Sequence, residues 1–310
     1  MRKNMRTTAI DARKIAVHQA YTWRKWANVL SQLGKMKISL LATLSAATGY
    51  LLATGRIAIG MLVPTTAVFF LACGSCALNQ YQERKVDGLM VRTRSRPIPS
   101  GRLNAKIALS ISLGLILSGF VILLFEQNKM AFCLGLFAVA WYNGVYTYLK
   151  KMTPFAAIPG ALVGAVPPVL GWASGGGTLL DPRIWAVALF FFIWQVPHFW
   201  LLVLDSSKDY ESAGLPAITK TFSTRQIKRI LFVWLLSTGV SSLILSTFGF
   251  LYSFFYYPVL MAAAFWLFWN VALFLGYPGR PVSFNTMFAR LNNYVIVVIS
   301  LLALGRLLGS

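Results

Sequence analysis

The sequence predicts an all-α polytopic membrane protein with about nine transmembrane helices, and three observations carry that prediction. Its 310 residues are 57% hydrophobic and only 12% charged, with mean hydropathy +0.65, a composition suited to lipid rather than to a water-soluble core. Nine apolar stretches reach the length of about 17 to 25 residues that a membrane crossing needs. They lie near 38–55, 57–78, 105–125, 131–148, 155–173, 184–204, 230–250, 251–275 and 293–309. Placing the N-terminus in the cytoplasm then puts 25 of the 29 Lys and Arg inside and 4 outside, namely Arg56, Lys129, Arg183 and Arg306. That asymmetry predicts the N-inside orientation. The formal net charge of +21 is used by inner-leaflet anionic lipid and by an anionic substrate. No nucleic-acid motif accompanies it, so nucleic acid is not expected as a partner.

Residues 1–37 form a basic cytoplasmic tail, and residues 38–310 a transmembrane domain. The tail has no apolar core ahead of a small-residue cleavage site, so it does not read as a secretory signal. Its segment from Ile15 to Leu30 carries Trp23 and Trp26 among Arg24 and Lys25, a pattern for an amphipathic helix on the membrane surface. The first span is rich in Ala, Gly, Ser and Thr, which allows close helix approach in lipid. The second holds Cys73 and Cys76 as a CxxC without a second ligand pair, so small-residue packing is expected there and no disulfide framework.

The second span runs into NQYQERKVDGLMVRTRSRPIPSGRLN, residues 79–104, with two acids and six bases. Asn79, Glu83 and Asp87 recur every four residues. On a helix their side chains rise about 6 Å per step, drift by roughly 40° and share one face. Carboxylates on one face opposite several Lys and Arg suit a divalent metal and a diphosphate, because Mg²⁺ takes a few carboxylate oxygens and completes its shell with phosphate. A plain basic cytoplasmic loop beside a membrane shares part of this composition. Pro97 and Pro99 forbid a continuous helix and are expected to fold the basic segment back over the site.

The spans at 105–125 and 131–148 form a hairpin whose return end holds Trp141, Tyr142, Tyr146 and Tyr148 beside Lys150 and Lys151, and most of these aromatics read as an interfacial belt. The fifth span carries Pro159, Pro167 and Pro168 and is expected to be kinked or broken, as helices lining a cavity are. The sixth leads into a second polar cluster, WQVPHFWLLVLDSSKDYESAGLPAIT, in which Asp205 and Asp209 repeat the four-residue spacing beside Lys208, Tyr210 and Glu211. Five of the chain's eight acids fall in these two loops, on one side of the membrane. The clusters lie four spans apart, which suggests two four-helix units plus a ninth helix around a central cavity. Beyond Ile230 only Asn270, Asn285, Asn292 and Asn293 stand out, as interhelical hydrogen-bond candidates.

The segments NQYQERKVDGLMVRTRSRP, YTYLKKMTPFAAIPGALVGAVPPVLGW and WQVPHFWLLVLDSSKDYESAGLP resemble the UbiA-type intramembrane prenyltransferases, and within them the protohaem IX farnesyltransferase (haem O synthase) branch. The resemblance spans roughly Lys35 to Leu302. It implies Mg²⁺-dependent transfer of a farnesyl group from farnesyl diphosphate to the vinyl group of haem B, giving haem O. The short tail without a clear presequence favours a bacterial plasma membrane over a mitochondrial inner membrane, and the resemblance implies haem A synthase or terminal-oxidase assembly downstream. Asn79, Glu83 and Asp87 match the family's first acidic motif and Asp209 its second. The implied metal ligands are Glu83, Asp87, Asp205 and Asp209. Arg92, Arg96, Lys151 and Lys208 would stabilise departing diphosphate, Tyr81, Tyr146 and Tyr210 would shield an allylic cation, and Gln195 and His198 would sit near the acceptor. Glu83 and Lys85 depart from the Asp usual in the family, and the number of bound metals is open. A quinone-precursor or other aromatic acceptor is the alternative enzyme reading. A transport or non-catalytic homologue is the other, although a transporter would carry ionisable residues at mid-membrane.

Overall fold

The computed structural model describes residues 23–250, 256–276 and 282–308, and among these it is all-helical, with nine helices long and apolar enough to cross a membrane. They are α1 (Met36–Thr54), α2 (Leu62–Asp87), α3 (Ala105–Phe125), α4 (Lys129–Leu149), α5 (Pro154–Ser174), α6 (Pro182–Asp205), α7 (Thr224–Leu245), α8 (Tyr256–Leu275) and α9 (Phe284–Leu308). The protein is a multi-pass membrane protein. Of the surface helix expected at 15–30, residues 15–22 lie outside the described residues; residues 23–33 are helical, with Trp23 exposed.

Several boundaries move because polar caps, rather than hydropathy, set them. α2 continues through the polar cluster as far as Asp87, nine residues beyond its apolar run. α7 starts at Thr224 rather than 230 because Ser223 and Gln226 form a reciprocal capping box. α9 starts at Phe284 rather than 293, its first turn capped by Ser283 Oγ accepting from the Thr286 N–H. The 251–255 segment expected at the start of the eighth span lies outside the described residues.

The expected break in α5 is present: a 3₁₀ turn at Pro154–Ala156, a short helix Ala157–Gly160, then Leu162–Ser174. α4 carries a π-helical stretch, Ala140–Tyr146, towards its C-terminal end. π segments recur at functional sites because they redirect side chains without ending the helix.

Lipid offers no hydrophobic driving force between helices, so close packing holds them. α1 to α4 pack as consecutive neighbours, α5 to α8 likewise, and α9 packs on α8, α6 and α1 to close the bundle, with α1 against α5 joining the two halves. The α1–α5 crossing is backbone to backbone. A Cβ at Gly49 would lie 1.9 Å from Pro168 O, and one at Gly171 1.9 Å from Ala46 O. Hydrogen bonds tie the later helices: the Ser242 and Tyr294 hydroxyls meet between α7 and α9, and Arg306 Nε donates to Leu52 O at 3.1 Å. Of the asparagines singled out, Asn292 bonds across helices, whereas Asn270 returns to Trp266 O of its own helix.

Candidate active site

Asn79, Glu83 and Asp87 share one buried face on the last turns of α2, at 0%, 8% and 1% exposure. Burying two carboxylates requires partners, and each has a cation. Lys150 pairs with Glu83, and Arg96 Nη1 lies 2.7 Å from Asp87 Oδ2. The proline-rich loop does turn back on itself: Thr93 Oγ1 donates to the Asp87 backbone carbonyl at 2.9 Å, which sets Arg96 over the Asp87 carboxylate.

A second tier of hydrogen bonds holds this face in place. Asn79 Nδ2 donates to Thr147 Oγ1 (3.0 Å), and Thr147 Oγ1 donates to Tyr142 O within the π stretch (2.8 Å). Asn143 Nδ2 donates to Ser75 O (3.0 Å), and Gln82 Nε2 to Asn143 O (3.0 Å). Asn143 and Thr147 recur at four residues on α4, the same signal that marked α2. On the other side Lys35 Nζ reaches Asn79 Oδ1 at 3.5 Å. Lys35 joins the N-terminal helical segment to α1 in a left-handed conformation, φ 45°, which is costly for a residue with a side chain and persists where surroundings demand it. Gln80 supplies that demand, its Nε2 bonding the carbonyls of Gln32 (2.7 Å) and Leu33 (2.9 Å). Burial pushes the Lys35 and Lys150 ammonium groups below the usual lysine value, and the Glu83 carboxylate acts against that on Lys150. Two desolvated lysines beside Arg96 form a strong attraction for a multiply charged anion.

The second cluster meets the first through Asp209, whose Oδ2 accepts from the Arg92 backbone N–H at 2.9 Å across 117 residues. Tyr210 comes with it, within electrostatic reach of Arg92, Glu83, Arg96 and Asp87; burial raises its phenol above the usual value and the Arg92 cation opposes the rise. Tyr210, Tyr146, Lys150, Phe199 and Trp200 line one cleft. Tyr146 stacks on Phe199 (5.7 Å between centroids, 11°) and on Tyr142 (5.6 Å). Gly160 permits this arrangement, since a Cβ there would fall 2.5 Å from the Tyr146 ring.

Asp205, Lys208 and Lys151 form no ion pair with the Glu83–Asp87 face among the described residues, and Tyr81 turns its ring to a cation of its own helix. α6 ends at Asp205, and the chain bends at Ser206 into the short helix Ser207–Ser212, so Asp205 and Asp209 do not share a helical face and Asp205 is exposed. Lys208 is exposed as well. Lys151 lies with its ammonium 5.5 Å from the Tyr148 ring; Lys150, its neighbour, is the lysine that reaches Glu83. Tyr81 already has a cation on its ring, the Arg84 guanidinium at 4.2 Å, because residues three apart on a helix meet. Gln195 faces α5, with Oε1 2.7 Å from where a side chain at Gly164 would begin. His198 Nδ1 meets Asn292 Oδ1 of α9 at 2.8 Å. Lys35, Asn143, Thr147, Lys150 and Phe199 are contributions that the sequence reading did not assign, and Asn292 makes the interhelical bond expected of it.

Among the described residues no three His, Cys, Asp or Glu side chains converge as a metal cage. Mg²⁺ needs no such cage, since it is commonly held by one or two carboxylates with substrate phosphates completing the octahedron. Glu83 and Asp87, on one face of α2, have the chemistry of that one- or two-carboxylate arrangement, and Asp209 is tied to the loop that follows them.

The sequence model of the UbiA prenyltransferase family matches residues 40–293. The chain belongs to this family. It is therefore a membrane-embedded transferase. Relatives within the family include the protoheme IX farnesyltransferase of Oleidesulfovibrio alaskensis, 36% identical over 221 residues, covering 71% of this chain and 78% of that protein. The protoheme IX farnesyltransferase of Geobacter sulfurreducens is 38% identical over 217 residues, 70% of this chain and 80% of that one. The fold is similar to that of a UbiA homologue from Archaeoglobus fulgidus bound to GPP and Mg²⁺, with TM-score 0.62, 15% identity and coverage of 90% of this chain and 99% of that one.

Proposed function

We propose that this UbiA-family protein transfers a farnesyl group from farnesyl diphosphate to the vinyl group of haem B to give haem O, with Mg²⁺, in a bacterial plasma membrane and with its N-terminus in the cytoplasm. One observation supports the chemistry above others. Two buried carboxylates on α2 each have their own cation, and the Arg92 backbone N–H ties Asp209 of the second cluster to the loop that follows them. Identity to named protoheme IX farnesyltransferases supports the acceptor.

Lys35, Lys150 and Arg96 bind and orient the diphosphate, and their charge stabilises the leaving group more as its bond to the farnesyl carbon breaks than before. Glu83 and Asp87, with Asp209 from the neighbouring cluster, would hold Mg²⁺, which would supply Lewis-acid neutralisation of that departing charge. The Tyr146–Phe199 stack walls the cleft and excludes water from the allylic cation, while its ring faces attract positive charge by about 0.5 to 2 kcal/mol each. Attack by the terminal vinyl carbon forms the new carbon–carbon bond and leaves a cation on the carbon next to the porphyrin. Capture of that cation by water, with loss of a proton, completes the balance.

The test uses purified protein in detergent with haem B, farnesyl diphosphate and Mg²⁺, resolving porphyrins by mass. Farnesylated haem that vanishes with chelator and returns with Mg²⁺ is the expected result. Turnover of a quinone precursor with haem inert would reassign the acceptor and keep the site. The lysines are expected to separate: Lys150→Met lowers kcat/KM for the diphosphate by about 10²-fold, the scale of one lost preorganised charge contact, whereas Lys151→Met changes it less than about threefold. Equal losses in the two would return Lys151 to the site.

A further inference from the structure

The contact between His198 and Asn292 has a direction that its geometry determines. Asn292 Nδ2 donates to the Phe288 carbonyl one turn earlier on α9, at 2.9 Å. A carbonyl only accepts, so reversing the amide would set two oxygens against each other, and Oδ1 must be the atom that faces His198. That oxygen also only accepts, and it lies 2.8 Å from Nδ1. The imidazole proton therefore sits on Nδ1, and Nε2 keeps its lone pair.

Nε2 has no protein partner among the described residues, and His198 is half-buried. Its surroundings are flat and apolar. The ring of Phe288 lies 4.8 Å from the imidazole, that of Trp194 5.1 Å and that of Phe199 5.9 Å. The indole Nε1 of Trp194 is buried without an acceptor, a second unspent polar atom in the same wall. Phe199 also stacks on Tyr146, whose ring lies 5.4 Å from the Lys150 ammonium that holds Glu83, so the His198 wall adjoins the diphosphate side of the cleft.

We propose that Asn292 is a positioning residue that locks His198 in the Nδ1–H tautomer and aims the Nε2 lone pair at the iron of a porphyrin acceptor. The proposal rests on the reading of haem B as acceptor. Histidines that ligate a metal usually donate their other N–H to an oxygen, which fixes ring orientation and raises ligand basicity. Here the oxygen comes from a helix 94 residues away, so the packing of α9 on α6 decides where the porphyrin plane can stand. The geometry also explains why a neutral amide is used: it orients the ring without placing a carboxylate in the span.

The experiment titrates ferric haem B into the full-length protein in detergent and follows absorbance and magnetic circular dichroism. Wild type is expected to show imidazole ligation. His198→Gly loses that signature, and added imidazole restores it. Asn292→Leu, which removes the acceptor, weakens haem binding by about 10- to 100-fold and alters the ligation signature. Should Asn292→Leu fail to fold, ¹⁵N-histidine labelling of the wild type reads the tautomer directly, because the chain holds only two histidines, His18 and His198. Haem binding with the same spectrum in His198→Gly, or an Nε2–H tautomer, overturns the proposal and leaves the acceptor reading standing. Wild type that binds no haem while prenylating another acceptor overturns both.

Discussion

Asp87→Asn is expected to lower the rate of prenyl transfer by about 10³-fold or more while leaving the protein folded. Asp87 is 1% exposed, and its carboxylate faces Arg96 alone among the described side chains that bond it. The amide keeps the volume and removes the charge. The loop turn survives, because Thr93 bonds the backbone carbonyl of Asp87 and not its side chain. Under the proposed function, what disappears is one anionic donor for Mg²⁺ and the counter-charge that would hold Arg96 over the diphosphate, two contributions that would act in the transition state. Rate and thermal midpoint measured on the same preparation decide the matter. A rate within tenfold of wild type, with the midpoint unchanged, would remove Asp87 from the catalytic set.

Gly171→Ala is expected to prevent recovery of folded protein. The single methyl it adds would begin 1.9 Å from Ala46 O and 3.0 Å from the Tyr50 backbone nitrogen, and neither backbone atom can swing aside as a side chain would. Gly49 repeats the contact from the opposite helix, so α1 and α5 must separate along their whole crossing. That separation opens the junction between the two helical halves, and a cost above about 4 kcal/mol places it among the exceptional single substitutions. Gly114→Ala on α3 is the control, because nothing lies within 4 Å of its added Cβ. Size-exclusion profiles and thermal midpoints of the two variants test the contrast. A Gly171→Ala midpoint within a few degrees of the Gly114→Ala one would show that the crossing is looser than its geometry.

The first acidic motif was legible from spacing alone because α2 runs unbroken to Asp87, so four-residue recurrence translates directly into one face. The same spacing misled at Asp205 and Asp209, because the helix ends between them at Ser206, where the backbone leaves helical values. Hydropathy also mistook the helix starts at Thr224 and Phe284, since polar first turns with capping serines look like loop. Lys150 and Lys151 are indistinguishable in composition. Only the rotation of the last turn of α4, after its π-helical stretch, puts one on Glu83 and the other over Tyr148.

By itself the sequence determined a membrane protein of about nine spans and the motifs of its prenyltransferase family. Each of these is local: apolar length answers to bilayer thickness, and side-chain identity to chemistry. Tertiary structure alone decided that Arg92 meets Asp209, that Lys35 and Lys150 stand with Asn79 and Glu83, and that Asn292 faces His198. Those pairings join residues 44 to 117 positions apart, or a lysine and a carboxylate on different helices. They depend on helix rotation and crossing, which are set by where glycines let backbones touch and where caps and breaks begin and end each helix, and no periodicity within one segment records them.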